Sequence, residues 1–326
     1  MEREAQGNSQ PFIDFGDAIK TMLDTPPIKN PTDRKSFAVH KGALVDVQEP
    51  LLPDAQKPDA APFVKWVGGK RSLMNSIKAH LPEKINKYYE LFVGGGAVFY
   101  ALADQIKTAY LSDNNLDLVI TYQMIKADPS HLIARLKELA TGHSEEQFYR
   151  VRAEEPALPL EVAARFIYLN KTCFNGLFRV NKSGKFNVPL GDYKNPNIVA
   201  EENIMACHKA LQKATITYHD YKLIDPRPKA KDFVYLDSPY HPTADDSFTA
   251  YTKENFTEQN QSELRDFALS LHKSGAYVML SNSKTKLIAD LYSDPAFHLH
   301  TVQAPRTVNC KPGARGAVDE YLITNY

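Results

Sequence analysis

The sequence predicts an α/β fold in which helices cover a largely parallel β-sheet. Short apolar runs typical of buried strands recur along the chain, for example at 233–236 and 276–280. Segments with the periodicity of amphipathic helices lie between these runs, and the runs end at polar or glycine residues. Strands that alternate with helices in this way are typical of a parallel sheet with helices on its faces.

The predicted elements follow one another along residues 63–326. Strands are predicted at 88–93, 108–111, 233–236 and 276–280, and a closing pair of strands at 298–303 and 320–324. Helices are predicted at 116–126, 160–168 and 257–273, and the second of these shows the i, i+3, i+4, i+7 spacing of one apolar helix face. The interval 172–194 fits neither pattern and interrupts the alternation.

Residues 1–62 differ from the rest of the chain in composition. They contain eight of the 21 prolines and no strong apolar period. Proline cannot continue a helix or a central strand, because it lacks a backbone N–H donor. We therefore expect a weakly structured extension with one short helix near 17–23.

Composition limits the class of protein. The 39 basic and 39 acidic residues cancel, so a nucleic-acid partner would need basic side chains gathered on one face. Cys173, Cys207 and Cys310 show no CxxC pairing, which predicts reduced thiols rather than disulfides or a zinc site. No apolar run approaches the roughly 18 residues of a membrane span, and the N-terminal pattern is not that of a signal peptide. We expect a cytoplasmic protein that does not enter membranes.

A glycine-rich turn follows the first predicted strand in the segment ELFVGGG, residues 90–96. Phe92, Gly94 and Gly96 lie in this turn, where glycine lets the backbone approach a ligand closely. Asp113 follows Gly94 by 19 residues, at the end of the next predicted strand. A carboxylate at this distance suits the ribose diol of an adenosine-containing ligand, whereas a glycine triplet alone also occurs in ordinary tight turns.

The neighbouring residues narrow the choice of ligand. Phe99 stands where a dinucleotide-binding turn needs a small residue, which disfavours NAD. Arg71 follows Gly69-Lys70 where a phosphate-binding P-loop needs Ser or Thr, and Val64 replaces the first glycine of that loop. S-adenosylmethionine carries a sulfonium and no phosphate, so it needs neither device and is the favoured cofactor.

A second cluster, Asp237-Ser238-Pro239-Tyr240, comes directly after the strand at 233–236. Its residue types suit methylation of an aromatic amino group, whose lone pair is delocalised into the ring. The Asp237 carboxylate and the Ser238 carbonyl would accept both amino hydrogens and free the lone pair, and Tyr240 would stack on an extruded base. The methyl group is then taken by an in-line displacement that depends on positioning and requires no metal. Taken alone, the tetrapeptide is also an ordinary turn sequence.

The chain from Phe63 to Tyr326 resembles the Dam-type adenine DNA methyltransferases of bacteria and phages. The shared segments, in order, are KWVGGK from Lys65, ELFVGGGAVF from Glu90, LSDNN from Leu111, NGLFRVNKSGKFNVPLG from Asn175, DSPY from Asp237, FTAY from Phe248 and VDEYL from Val318. The resemblance implies a Rossmann-like seven-stranded methyltransferase sheet with an inserted target-recognition domain. It also implies S-adenosylmethionine as cofactor and double-stranded DNA as substrate.

The resemblance further implies a division of the chain. Residues 63–160 and 195–326 would form the S-adenosylmethionine-binding catalytic domain, and 161–194 the target-recognition insert. The cofactor contacts would come from Trp66, Lys70, Asp113 and Asp237. Ser238 departs from the usual Asp-Pro-Pro-Tyr motif of the family; the loss of backbone rigidity predicts a slower or less selective enzyme. The resemblance gives no account of residues 1–62.

The insert carries the expected DNA contacts. Between residues 165 and 194 there are six basic residues and one acidic residue, and aromatic residues are interleaved with them, among them Phe174, Phe178, Phe186 and Tyr193. Cations beside aromatic rings suit a loop that contacts DNA, and the alternative is a solvated basic loop whose rings pack into the core. By the resemblance, Phe174 and Asn175 would hold the duplex open, and the flanking bases would be contacted by Leu177, Arg179 and Pro189.

Asp192 predicts a target sequence that differs from the GATC target of related enzymes. Members of the family commonly methylate the adenine of GATC, and Arg179 suits a guanine because its fork can bond both major-groove acceptors. GATC-reading relatives tend to carry a basic residue at the position of Asp192, and an aspartate cannot donate to guanine. We therefore expect relaxed or altered specificity at an outer base pair.

Two other functions remain open from the sequence. Methylation of RNA, of single-stranded DNA or of the cytosine amino group would use a similar site, although Asp237 and the order of the shared segments favour adenine. A catalytically idle DNA-binding homologue would explain Ser238, but not the retained Asp113 and Tyr240. A nucleobase deaminase is disfavoured because the chain lacks paired Cys and His-x-Glu zinc motifs. We expect a monomer in a bacterial cell or a phage-infected host, for example as part of a restriction-modification system.

Overall fold

The computed structural model describes residues 59–243, 256–305 and 317–326. Its strands are β1 (Tyr88–Glu90), β2 (Ala109–Asp113), β3 (Ala214–Tyr218), β4 (Phe233–Leu236), β5 (Tyr277–Ser283), β6 (His298–Pro305) and β7 (Ala317–Thr324). Its helices are α1 (Met74–Ala79), α2 (Ala97–Leu102), α3 (Leu116–Ala127), α4 (Pro129–Thr141), α5 (Glu145–Ala153), α6 (Pro159–Thr172), α7 (Glu201–Leu211), α8 (Glu258–Lys273) and α9 (Lys286–Leu291). The predicted helix near 17–23, Cys310 and the segment 248–251 lie outside the described residues. Within the three described ranges, no helix combines the length and apolar composition that crossing a membrane requires.

The seven strands of the described chain form one sheet in the order β3-β2-β1-β4-β5-β7-β6. The first five in this order are parallel, and β7 lies antiparallel between β5 and β6. The predicted α/β class with a largely parallel sheet is confirmed. The chain leaves β1 toward β2 on one side and later returns to β4 on the other side. In open α/β sheets, ligands bind at such a switch point, beyond the carboxyl ends of the strands.

Most predicted strands occur with shifted ends. β4 spans the predicted residues 233–236, and β6 and β7 form the predicted closing pair. β1 is shorter than predicted because the chain turns after Glu90 into the glycine segment, where Leu91 and Val93 stay buried. β5 extends beyond its predicted end to Ser283. β3 has no counterpart among the predicted strands, since it is a short edge strand of mixed polarity.

Helix α3 lies at the centre of the helical layer on one face of the sheet. Its residues from Leu118 to Ile125 are all buried, because the helix packs against β2 and β3 and against helices α4, α6 and α7. A helix without a polar face is typical of such a central position. Asn115 caps its first turn by accepting a hydrogen bond from Leu118 N at 3.1 Å. This packing fixes the residues just before the helix, which include Asp113.

The segment after α6 forms a short hairpin. Two antiparallel bridges join its sides, Cys173 with Leu190 and Val180 with Phe186. Asn181 stabilises the tip, because its side-chain oxygen accepts hydrogen bonds from the N–H groups two and four residues later at 2.9 and 3.0 Å. Helix α6 already includes residue 161, the predicted start of the recognition insert, and packs against α3 and α4. The functional division of the chain at that residue stays a prediction.

Candidate active site

The glycine turn lies at the carboxyl end of β1, beside Asp113 at the end of β2. Gly94 N donates a hydrogen bond to Asp113 Oδ2 at 3.0 Å, and Asn115 N donates to Oδ1 at 3.0 Å. Burial raises the pKa of Asp113, and the backbone donors act in the opposite direction. The glycine turn and Asp113, both predicted to contact an adenosine-containing ligand, are therefore joined by a direct hydrogen bond, and the ligand contact itself stays a prediction.

Two aromatic rings explain why this turn needs glycine. Gly94 and Gly96 have φ angles of 47° and 69°, in the left-handed region that side chains rarely adopt. A Cβ on Gly94 would lie 2.6 Å from the Trp66 ring, and one on Gly96 would lie 2.5 Å from the Tyr122 hydroxyl. That hydroxyl donates to Gly94 O at 2.9 Å. Trp66 and Tyr122 therefore fix the path of the turn.

Asp237 and Tyr240 follow β4 at the same edge of the sheet and meet Lys70. The Lys70 ammonium lies 2.7 Å from Asp237 Oδ1 and 4.7 Å from the centre of the Tyr240 ring. Lys70 belongs to a 3-10 turn, Lys70–Leu73, that leads into α1, and its side chain is 7% exposed. The structure thus brings together residues that are 167 or more positions apart in the sequence, since 237 − 70 is 167.

Burial and two neighbouring groups set the charge of the Asp237 carboxyl. Burial raises the pKa of Asp237, whereas the Lys70 cation and the Ser281 hydroxyl lower it. Ser281 Oγ donates to Asp237 Oδ1 at 3.2 Å and contacts the Tyr235 hydroxyl at 2.8 Å. The carboxylate is therefore held by one cation and one hydroxyl on the same oxygen.

Glu90 is a second buried acid near this cluster, and the sequence analysis did not assign it a role. Tyr88 OH and Phe99 N donate to its Oε2 at 2.8 and 3.0 Å. Burial raises the pKa of Glu90 to about 8; Asp237 also raises it, and Lys70 lowers it. Glu90 is therefore largely protonated at neutral pH, which limits the negative charge around Asp237.

The loop after β4 is fixed from two sides. Tyr240 OH donates to Glu320 Oε2 on β7 at 2.9 Å. The Pro239 carbonyl accepts from Gln261 Nε2 on α8 at 2.9 Å, and Gln261 Oε1 accepts from Asn282 Nδ2 at 3.0 Å. Ser238 is buried, and its hydroxyl has no hydrogen-bond partner among the described residues.

Sequence reasoning missed the residues that support this loop, namely Ser281, Asn282 and Glu320. One signal pointed to the first two: the polar run Ser281-Asn282-Ser283 directly follows an apolar strand, at the edge where parallel strands of such folds bind ligands. Glu320 belongs to the shared segment VDEYL but does not follow the end of a strand, because β7 is antiparallel and presents the beginning of its sequence at this edge.

The remaining predicted cofactor residues lie in or beside the glycine turn. The Trp66 ring stacks on Phe178 with a centroid distance of 5.9 Å and lies 6.3 Å from Phe166. Phe92 packs against the rings of Tyr221 and Phe256 at 5.1 and 6.3 Å. Trp66 therefore links the glycine turn to the hairpin after α6.

The predicted DNA-contacting residues are gathered on the hairpin with different exposures. Phe174, Asn175, Pro189 and Asp192 are exposed, whereas Leu177 and Arg179 are half-buried. Arg179 Nε donates to Asn187 Oδ1 at 2.7 Å, and Nη2 donates to Asn187 O at 3.2 Å. Phe178 and Phe186 pack against the core and Tyr193 is half-buried, so Phe174 is the exposed one of the four aromatic residues named for this segment.

Asn170 joins the hairpin to the start of the described domain. Its side-chain oxygen accepts from Lys65 N at 2.8 Å, and its side-chain nitrogen donates to Lys65 O at 2.8 Å and to Gly176 O at 2.9 Å. Lys65 Nζ also donates to Tyr193 OH at 2.9 Å. The segment before Trp66, helix α6 and the hairpin are therefore one connected unit.

The strand order, with the glycine turn and the loop after β4 at its switch point, defines a Rossmann-like methyltransferase fold. A family model described as D12 class N6 adenine-specific DNA methyltransferase matches residues 66–308. The chain belongs to this family, and it is accordingly an adenine-specific DNA methyltransferase.

Several characterised proteins are similar over most of their length. The type II methyltransferase M1.LlaDCHI of Lactococcus lactis subsp. cremoris is 39% identical over 274 residues, which cover 81% of this chain and 95% of the relative. The type II methyltransferase M.MjaIII of Methanocaldococcus jannaschii is 39% identical over 290 residues, covering 82% and 100%. The DNA adenine methylase of Escherichia coli K12 is 36% identical over 265 residues, covering 80% and 93%. The predicted resemblance to Dam-type enzymes is confirmed.

Proposed function

We propose that Asp237 and the backbone carbonyl of Ser238 accept the two hydrogens of the adenine 6-amino group during methyl transfer. The observation that supports this most directly is the Lys70–Asp237 ion pair at 2.7 Å, beside the glycine turn at the switch point of the sheet. Burial raises the pKa of Asp237, and the Lys70 cation opposes this shift by favouring the ionised carboxylate, which is a hydrogen-bond acceptor only. The Pro239 carbonyl is engaged by Gln261, which favours the Ser238 carbonyl as the second acceptor.

The residues at the edge of the sheet fit S-adenosylmethionine. Gly94 and Gly96 let the turn pack against the Trp66 ring and the Tyr122 hydroxyl, where a Cβ would clash, and this packing holds Gly94 N on the Asp113 carboxylate. The Asp113 carboxylate at the end of β2 suits the ribose hydroxyls, and Trp66, Lys70 and Phe92 complete the proposed site. When bound, S-adenosylmethionine supplies an electrophilic methyl group.

The protein residues then act on the amino group. Hydrogen bonds from the amine to Asp237 and to the Ser238 carbonyl draw the nitrogen toward tetrahedral geometry, so its lone pair is directed at the methyl carbon. Tyr240 offers a ring face for the adenine; the Lys70 ammonium lies over this ring at 4.7 Å, so we assign the opposite face to the base. Catalysis is thus mainly positioning and charge complementarity.

Double-stranded DNA is the proposed substrate form, with the hairpin after α6 as the recognition element. Phe174 is 50% exposed and Asn175 adopts a φ of 55°, both at the start of the hairpin, which supports their proposed role in holding the duplex open during base flipping. Leu177, Arg179 and Pro189 are the proposed base contacts. We propose a GATC-like site with relaxed discrimination at the base pair that faces Asp192, and a monomer that acts in the cytoplasm.

Replacement of the proposed acceptor tests this function. Asp237→Ala should lower transfer of a labelled methyl group to duplex DNA by about a hundredfold or more, because the amine loses its anionic acceptor. Asp319→Ala, which removes an exposed carboxylate on β7, is the control and should retain full activity. Parallel assays with single-stranded DNA and RNA decide the substrate form. Activity of Asp237→Ala within a few-fold of the parent enzyme would overturn the assignment.

A further inference from the structure

The Asp237 carboxylate is held unsymmetrically. Among the described residues, both of its polar contacts fall on Oδ1: the Lys70 ammonium at 2.7 Å and the Ser281 hydroxyl at 3.2 Å. The terminal torsion of an aspartate side chain is otherwise broad. Two contacts on one oxygen fix this torsion and leave the other oxygen, Oδ2, without a polar contact among the described residues.

The hydroxyl of Ser281 is itself fixed by Tyr235. The two hydroxyl oxygens are 2.8 Å apart, and both residues are fully buried. A serine hydroxyl has a single proton, and an ionised carboxylate can only accept. Ser281 therefore donates to Asp237, and Tyr235 donates to Ser281. The direction of each hydrogen bond follows from the charge of Asp237.

The pleat of the sheet explains why these three residues meet. Tyr235 pairs with Met279 in the parallel register of β4 and β5. Side chains two residues apart on a strand share a face, so Ser281 lies on the same face as Met279, and Asp237 on the same face as Tyr235. The hydrogen bonds from Tyr235 to Ser281 and from Ser281 to Asp237, called the relay below, therefore run toward the carboxyl edge along β4 and β5.

We propose that Ser281, oriented by Tyr235, is a positioning residue for the methyl transfer: it holds Asp237 Oδ1 so that Oδ2 is presented to the adenine amine. This inference rests on the proposed role of Asp237 as the amine acceptor. Ser281 acts through Asp237 and does not itself touch the substrate. The relay affects the chemical step, not the binding of cofactor or DNA.

The first test is a kinetic comparison of Ser281→Ala with the parent enzyme. We expect kcat to fall about tenfold or more, which corresponds to the loss of one hydrogen bond to a charged group, while KM for S-adenosylmethionine and for DNA changes less than about twofold. Thr324→Val is the matched control, since it removes a buried hydroxyl from β7 of the same sheet and should leave kcat unchanged. A proportional rise in KM without a fall in kcat would overturn the proposal.

The second readout is the pH dependence of kcat. Ser281 stabilises the ionised form of Asp237, so its removal should move the acid limb of the profile to higher pH by about half a unit or more. The other titratable groups that face Asp237 are the same in both proteins: Lys70, Tyr88, Glu90, Tyr235, Tyr240 and Glu320. An unshifted acid limb would contradict the role of Ser281, because a purely structural defect would lower the plateau alone.

Tyr235→Phe removes only a hydroxyl and keeps the ring that fills the core. It therefore tests the relay even if Ser281→Ala does not fold well. It should lower kcat several-fold and shift the acid limb in the same direction, because Ser281 loses the donor that orients it. Parent-like kcat in either folded variant overturns the relay. If Asp237→Ala also keeps its activity, the proposed function fails; if Asp237→Ala is inactive and Ser281→Ala is not, only this inference fails.

Discussion

Substitution of Gly96 by alanine tests the account of the glycine turn quantitatively. Gly96 has a φ of 69°, and an added Cβ would lie 2.5 Å from the Tyr122 hydroxyl and 3.1 Å from the Tyr100 ring. The left-handed backbone costs an alanine about 1–2 kcal/mol. Displacement of Tyr122 removes its hydrogen bond to Gly94 O, about 1 kcal/mol net, and the overpacking adds about 1–3 kcal/mol. Gly96→Ala should therefore destabilise the protein by about 3–6 kcal/mol.

Gly184 provides a matched control for this experiment. It also has a left-handed φ, 75°, but an added Cβ would meet no atom within 4 Å. Gly184→Ala should therefore cost at most about 1–2 kcal/mol, from the backbone alone. Urea unfolding followed by circular dichroism measures both free energies, and calorimetry with S-adenosylmethionine should show loss of binding for Gly96→Ala only. Equal destabilisation by the two substitutions would refute the role assigned to Tyr122.

Three further predictions follow from other parts of the molecule. Asp192→Arg should restrict adenine methylation to GATC sites, as measured by modified-base sequencing of DNA from an expressing, methylation-free host. If the parent enzyme already methylates only GATC sites and the variant methylates the same sites, the role of Asp192 is contradicted. Glu320→Ala and Tyr240→Phe should each lower kcat/KM about fivefold, the value of one ordinary hydrogen bond, and the double variant should lose no more than either alone. Burial and the neighbouring His80 lower the pKa of His300, so below about pH 6.5 the unfolded chain binds more protons than the folded protein and the free energy of unfolding falls. His300→Gln should reduce this fall, as measured by urea unfolding at several pH values. An unaltered pH dependence would show that another group is responsible.

Local patterns predicted those parts of the fold that depend on neighbouring residues in the sequence. β4 occurs where a short apolar run predicts it. All four of its residues are buried, so the ends of the apolar run coincide with the ends of the strand. The glycine turn and the loop from Asp237 to Tyr240 follow their strands directly, so their placement at one edge of the sheet comes with the parallel topology. The family resemblance then supplied the chemistry that the spacing left open.

Other parts of the site depend on long-range pairing that the sequence does not reveal. Glu320 reaches Tyr240 because β7 inserts between β5 and β6 in antiparallel direction, with Ser283 opposite Glu320. A chain that placed β7 at the sheet edge would show the same local pattern. Lys70 reaches Asp237 because its 3-10 turn packs against helix α2 and strand β6, contacts that no local motif determines. Glu320 and Lys70 therefore reach the site through the strand order and the long-range packing of the fold, which local sequence patterns do not show.

The hydrogen bonds of Asn170 have a practical consequence for chimeric enzymes. Exchange of the proposed recognition hairpin between relatives is a route to new target sequences, and its two internal bridges suggest a self-contained graft. Asn170 binds both the main chain of Lys65 and that of Gly176, and the Trp66 ring stacks on Phe178. If residues 161–194 alone were transplanted from a relative, the side chains of the relative would meet residues 65–66 of the recipient enzyme at each of these contacts. Successful chimeras should therefore transplant residues 65–66 together with the hairpin, as one unit drawn from two distant parts of the chain.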